Sequence, residues 1–151
     1  MDKILVSKCL LGENVKYNGG NNFVDNPLMK KWMEEGRIIS VCPEYEGGLP
    51  VPRSASEICG GRVVNAEGED VTEQFCRGAQ IALDRAEDNG IKYAIFKQGS
   101  PSCGSKKIYD GLFRGRKING MGIAARLLAD NGIQIFDETE IDKLGRIIDG
   151  K

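Results

Sequence analysis

The sequence predicts a single α/β domain over residues 1–151, with a mainly parallel sheet of about four strands and helices on both of its faces, a Rossmann-like three-layer arrangement with one small β-hairpin added. Three observations carry that expectation. Short apolar runs (KILVS, RIISV, YAIFK and IQIF) alternate with stretches of helical periodicity. The runs are nearly continuous in apolar character, as strands buried on both faces are. A chain of 151 residues, 40% hydrophobic and 28% charged, without a repeat or a Pro/Gly/Ser-rich linker, fits one globular domain.

Each element has a local reason. Lys3–Ser7 is the first strand, closing at a glycine-containing loop. Asn26 caps a helix over Pro27–Glu35, with proline at the first helical position, Gly36 beyond its end, and Leu28, Met29, Trp32 and Met33 on one face. Arg37–Val41 is the second strand. From Cys42 to Gly61 the chain holds three prolines and four glycines with no period, and reads as an ordered loop. Arg62–Val64 and Asp70–Val71 flank NAEGE as a small hairpin. Thr72 caps a long helix reaching Asn89, in which Phe75, Ala79, Ala82, Leu83 and Ala86 recur at helical spacing before Gly90. Tyr93–Lys97 is the third strand and a Gly/Ser/Pro loop follows it. Met121–Asn131 is a helix ending at Gly132, Ile133–Phe136 the fourth strand, and Glu138–Ile148 a final amphipathic helix.

Composition removes whole classes of chemistry. The chain has no histidine, so a Ser-His-Asp triad, a Cys-His dyad and imidazole metal ligands are all excluded. A net charge of −1 does not describe a polyanion-coating surface. No run approaches the ~20 apolar residues of a spanning helix, and the first residues do not read as an export signal. The expected location is cytoplasmic, with no membrane partner and a nucleic-acid partner disfavoured. In that compartment five cysteines, an odd count, point to metal, catalysis or core rather than to disulfides.

In open α/β sheets ligands bind beyond the carboxyl ends of the strands. Cys9, Cys42 and Cys103 each follow a predicted strand, so the topology brings them to one edge although no local C-x-x-C motif links them. Three thiolates without histidine suit zinc or an iron–sulfur cluster. A cluster held by three cysteines would leave one iron open as a Lewis acid. Cys76 is expected to pack in the core beside Phe75 and Ala79. Cys59, in SEICGG, reads as a loop-packing residue or a fourth ligand. Arg53 is placed to pair with Glu57 or to meet a substrate group, and Arg114–Lys117 (RGRK) to be a solvated loop.

The stretches SKCLLG, VKYNGG, CPEYEGGLPVPRSASEI, DVTEQFCRGA, KQGSPSCG, YDGLF and GMGIAARLL resemble a domain family, formerly of unknown function, whose characterised member is a thiouracil desulfidase. Lys16 and Asn18 depart from the family pattern, where Arg and Asp are usual. The resemblance implies a [4Fe–4S] cluster on Cys9, Cys42 and Cys103, with Cys59 and Cys76 left out. It further implies catalytic roles for Glu44 and Ser100 and non-redox removal of sulfur from a thiolated nucleobase. Arg53 and Ser102 are the expected substrate contacts, and the partner a small thiolated molecule. An oxygen-labile cluster of this kind would be lost on aerobic purification. The rival readings are a sulfur-transfer enzyme, a non-enzymatic iron–sulfur sensor or electron carrier, and a zinc hydrolase on the same thiolates.

Overall fold

The computed structural model describes residues 2–150. In chain order the elements are β1 (Ile4–Ser7), α1 (Pro27–Glu34), β2 (Ile38–Val41), α2 (Pro43–Glu46), β3 (Ser56–Cys59), β4 (Arg62–Asn65), α3 (Thr72–Asp88), β5 (Tyr93–Phe96), β6 (Lys107–Tyr109), β7 (Lys117–Asn119), α4 (Ile123–Asp130), β8 (Gln134–Asp137) and α5 (Ile141–Asp149). The central sheet has four parallel strands in the order β2-β1-β5-β8. Strand order therefore reverses between β1 and β5, and the crevice outside their carboxyl ends is where an open sheet receives a ligand.

Alternation along each strand feeds two cores. Ile4, Val6 and Ile95 turn towards α1 and α5, where they meet Met29, Trp32, Ile141 and Leu144. Leu5, Ala94 and Phe96 turn the other way, onto Ala79, Ala82 and Ala86 of α3 and Ala124, Ala125 and Leu128 of α4. Both faces are covered, which accounts for the unbroken apolar runs. A smaller cluster of Val63, Val71 and Phe75 seats the β3–β4 hairpin on α3. The four expected sheet strands are all present, as are the helices around them. Asn26 does cap α1, its side chain accepting the amides of Leu28 and Met29.

Several local expectations are corrected. The hairpin joins β3 to β4 through Gly60 and Gly61, both at positive φ (58° and 81°), as a two-residue primed turn requires. Asp70 reaches Val64 through an isolated bridge only. Val71, not Thr72, occupies the α3 cap position, and Thr72 Oγ1 instead accepts the Val63 amide. The glycine-rich segment after Cys42 contains α2 and β3, and the loop after β5 contains the β6–β7 hairpin. Met33 is exposed, one step round α1 from Trp32. Cys76 is exposed rather than packed, because α3 turns Phe75 and Ala79 inward and leaves position 76 outside that stripe; Cys59 is exposed as well.

Candidate active site

Cys9 lies two residues past β1, in a 3₁₀ turn over Lys8–Leu11 that Gly12 ends in the left-handed region. Cys42 directly follows β2 and precedes α2. Cys103 lies in the loop after β5. All three line one cavity of about 360 Å³ at the carboxyl edge of the sheet, together with Glu44, Arg53 and Ser100. Convergence of these three cysteines is thus the arrangement that the strand-end argument predicts.

Each thiol is recessed, and the Cys42 thiol reaches the Val15 carbonyl at 4.0 Å. Burial pushes the Cys9 thiol above its ordinary range against a bond from the Asn22 side chain. Burial also raises Cys42, opposed by the Tyr45 backbone amide. Cys103 is raised most, by burial first and then by Cys9, Cys42 and Glu44, while a bond from Ser7 favours its thiolate. Such donors set ligand orientation and basicity in thiolate centres. The Ser7 hydroxyl oxygen also accepts the Lys97 amide at 3.1 Å, which fastens β5 to β1 beside the thiols.

Loop geometry is fixed by buried polar knots. Glu46 accepts the Cys42 amide at 2.9 Å and pairs with Arg85 at 2.6 Å; Arg85 also holds the Ser40 carbonyl. Ser100 Oγ accepts the amides of Ser102 and Cys103 at 3.1 and 3.0 Å, tying the turn that presents Cys103. The same hydroxyl makes a long 3.5 Å contact to Glu44 Oε2. Glu44 Oε1 accepts Arg53 Nε at 3.2 Å. Burial raises the Glu44 carboxyl above its usual range, and Arg53 and Ser100 pull against that shift. A carboxylate on α2 and a hydroxyl in the loop after β5 therefore line the same cavity as the thiols, with a guanidinium steadying the carboxylate.

The two expected substrate contacts differ in placement: Arg53 lines the cavity and Ser102 does not. Arg53 pairs with Glu44 rather than Glu57, and its Nη1 and Nη2 also reach the carbonyls of Pro50 and Val15 at 3.1 and 3.0 Å. Three of its five N–H donors are engaged in this way, and the residue lines the cavity. Ser102 is 1% exposed and lies outside the cavity lining; its Oγ is buried without a hydrogen-bond partner among the described residues. The Gly122 backbone presses on Ser102 from behind. Further residues also form the walls, among them Tyr17, Glu57, Tyr109 and Lys117. Lys117 belongs to the RGRK run, which is exposed as expected, and its ammonium sits 5.5 Å over the Tyr109 ring at the cavity. The VKYNGG and YDGLF motifs were the available signal for Tyr17 and Tyr109.

Among the described residues, no group of three or more His, Cys, Asp or Glu side chains is gathered as one metal ion requires. The thiols instead line the cavity wall, without histidine. A donor set of thiols alone fits an iron–sulfur centre.

The fold and this cavity define an α/β protein whose thiol-lined crevice lies at the switch point of its sheet. A sequence profile of the 2-thiouracil desulfurase family matches residues 4–140, and the chain belongs to that family. It is 38% identical to the protein YbbK of Bacillus subtilis (strain 168), over 93% of this chain and 99% of the relative. Among solved structures it is similar to the [4Fe–4S]-dependent thiouracil desulfidase TudS, with 42% identity, a TM-score of 0.97 and complete coverage of both chains. The expected family is thereby found, and the α/β architecture is that of TudS.

Proposed function

We propose that this protein is a [4Fe–4S]-dependent desulfidase that hydrolyses the C=S bond of a small thiolated pyrimidine, giving the carbonyl compound and sulfide. The observation that carries the reading is the meeting of three strand-end thiols with the Glu44–Ser100 pair in one cavity. Cys9, Cys42 and Cys103 hold the cluster, and Cys59 and Cys76 are outside it. Five free thiols and a cluster of this kind fit a reducing, cytoplasmic setting. No helix among the described residues is long and apolar enough to cross a membrane.

When bound, the cluster supplies an iron without a protein ligand, a soft Lewis acid suited to a thiocarbonyl sulfur. The chain's residues do the rest. Glu44 takes a proton from the attacking water at its carboxylate, since no histidine exists to do so. Arg53 keeps that carboxylate aimed. Ser100 Oγ, held by the Cys103 turn, directs its hydroxyl towards Glu44 and orients the water or the ring. The net change is C=S plus water to C=O plus hydrogen sulfide, with no electron gained or lost.

The test is anaerobic reconstitution followed by sulfide release from thiouracils, thionucleosides and simple thioamides. Glu44→Gln is expected to keep its iron and lose about 10²–10⁴-fold in turnover, the usual worth of a general base. An undiminished rate in that variant, with the cluster intact, removes Glu44 from the reaction. Four protein ligands on the cluster by spectroscopy would end the open-iron reading.

A further inference from the structure

The β6–β7 hairpin projects from the loop after β5 as an arm, and β7 is exposed along its whole length. At its base an isolated bridge joins Ile108 to Gly99, next to Ser100. Near its tip one side chain from another element holds it. Glu57 on β3 is 8% exposed, and its Oε1 accepts two backbone amides of the arm, Gly111 at 2.9 Å and Phe113 at 3.2 Å. The fit there is close. A Cβ on Gly111 would lie 2.6 Å from the Ile58 carbonyl oxygen, and Gly111 has φ of 89°. Phe113 has φ of 53°, a conformation that non-glycine residues rarely adopt and that persists only where the surroundings impose it.

The arm in turn carries two side chains of the cavity wall, Tyr109 from β6 and Lys117 from β7. We propose that Glu57 is a positioning residue for substrate binding: it latches the arm to β3, so that Tyr109 and Lys117 stand as the wall facing the thiols. The proposal rests on the reading of this cavity as the substrate site. The physical basis is that a nearly buried carboxylate needs partners and finds two amides on a single oxygen. The arm packs little apolar surface of its own, so these charge-assisted bonds set its position. Its own turn is already ordered by Asp110, which accepts the Leu112 amide and pairs with Arg114. The arm should therefore move as a unit when the latch is removed.

The experiment compares Glu57→Ala and Glu57→Gln with the parent protein by two readouts. Hydrogen exchange is followed at the amides of Gly111 and Phe113 in protein without substrate. KM and kcat for thiouracil are then measured on anaerobically reconstituted protein at matched iron content. Glu57→Ala is expected to lose at least about tenfold of protection at those two amides, with β1 and β5 unchanged. It is also expected to raise KM about tenfold, equivalent to 1.4 kcal/mol, while kcat stays within about twofold. Glu57→Gln keeps an acceptor oxygen and is expected to recover most of both. Gly111→Ala, which lifts the arm from its own side, should reproduce the alanine phenotype if Glu57→Ala does not fold. Unchanged protection at 111 and 113 in Glu57→Ala overturns the latch, and so does a fall in kcat at constant KM. Exchange is read without substrate, so a parent protein that turns over no thiolated base would sink the functional reading while leaving the latch separately decided.

Discussion

Gly78, in the middle of α3, offers a severe test of how the site is seated. A Cβ there would lie 1.8 Å from the Pro43 carbonyl oxygen, 2.5 Å from its carbon and 3.0 Å from its Cα. Gly47 faces the same contact, its Cβ position being 2.2 Å from the Gln74 carbonyl and 2.9 Å from the Gly78 nitrogen. These two glycines let α2 lie directly on α3. Gly78→Ala sets two effects against each other. Alanine in a helix interior favours the fold by ~1 kcal/mol over glycine. Relieving the overlap requires α2 to back away by roughly 1.7 Å, given a comfortable separation of ~3.5 Å. The atoms in the way are backbone and cannot rotate aside, so the cost belongs at or above the top of the ~1–3 kcal/mol range for overpacking. The clash wins by about 2 kcal/mol, a fall in Tm of roughly 4–8 °C for a chain of this size. Because α2 carries Glu44 and follows Cys42, a displacement of that size should also cost about 100-fold in sulfide release per bound iron. Thermal melts by circular dichroism and the sulfide assay measure the two effects, with Cys76→Ala, exposed on the same helix, as the neutral comparison. A Gly78→Ala protein that melts at or above the parent temperature and turns over at the parent rate refutes the packing argument.

Single serine replacements of Cys9, Cys42 or Cys103 should each abolish or deplete the bound iron counted after anaerobic reconstitution, whereas Cys59→Ser and Cys76→Ser should retain it. Leu128→Ala, at a site with no exposure, should destabilise by ~2–5 kcal/mol in a denaturant titration. Asp137 gives a pH prediction with a definite sign. Burial opposes its ionisation, but bonds from Thr139 and Gln98 and the charge of Lys106 hold its carboxyl below the reference value of 3.8. The folded chain then binds fewer protons than the unfolded one, so this contribution is complete above that value and fades as pH falls through the folded pKa. Asp137→Asn should flatten the loss of stability as pH falls below about 4 in acid titrations, and an unchanged acid limb would contradict the assignment.

What was legible in the sequence followed from regular geometry. Doubly buried parallel strands must be apolar throughout, and their carboxyl ends must gather, so Cys9, Cys42 and Cys103 could be grouped without any local motif. Glu44 is marked only by the family resemblance; without it, a carboxylate two residues past Cys42 reads as an ordinary loop acid. The illegible parts depend on contacts between loops. Nothing in the run from Pro50 to Glu57 says that Arg53 turns to Glu44 and leaves Glu57 for the arm. The arm itself escaped notice because its strands are three residues long and β7 buries no side chain, so no apolar alternation marks it. Cys76 was misread because helical spacing identifies a stripe more firmly than it identifies the stripe's edge. Gly78 carries no signal of its own in the sequence, and only the partner backbone at Pro43 explains a glycine in that helix interior.

The register of the sheet has a chemical meaning as well as a structural one. Ser7 stands opposite Val41, and Val6 opposite Ile95, so the strand ends are ranked to within a residue. A slip of one position between β1 and β2 would move Cys42 by ~3.3 Å and send the strand's side chains to the opposite face. Apolar packing alone would tolerate part of that change, since both faces of this sheet are greasy. A set of thiols proposed to close on one cluster would not. The hydrogen-bond ladder of β2-β1-β5 therefore acts as the ruler of the site, setting where Cys42 stands relative to Cys9 and Cys103.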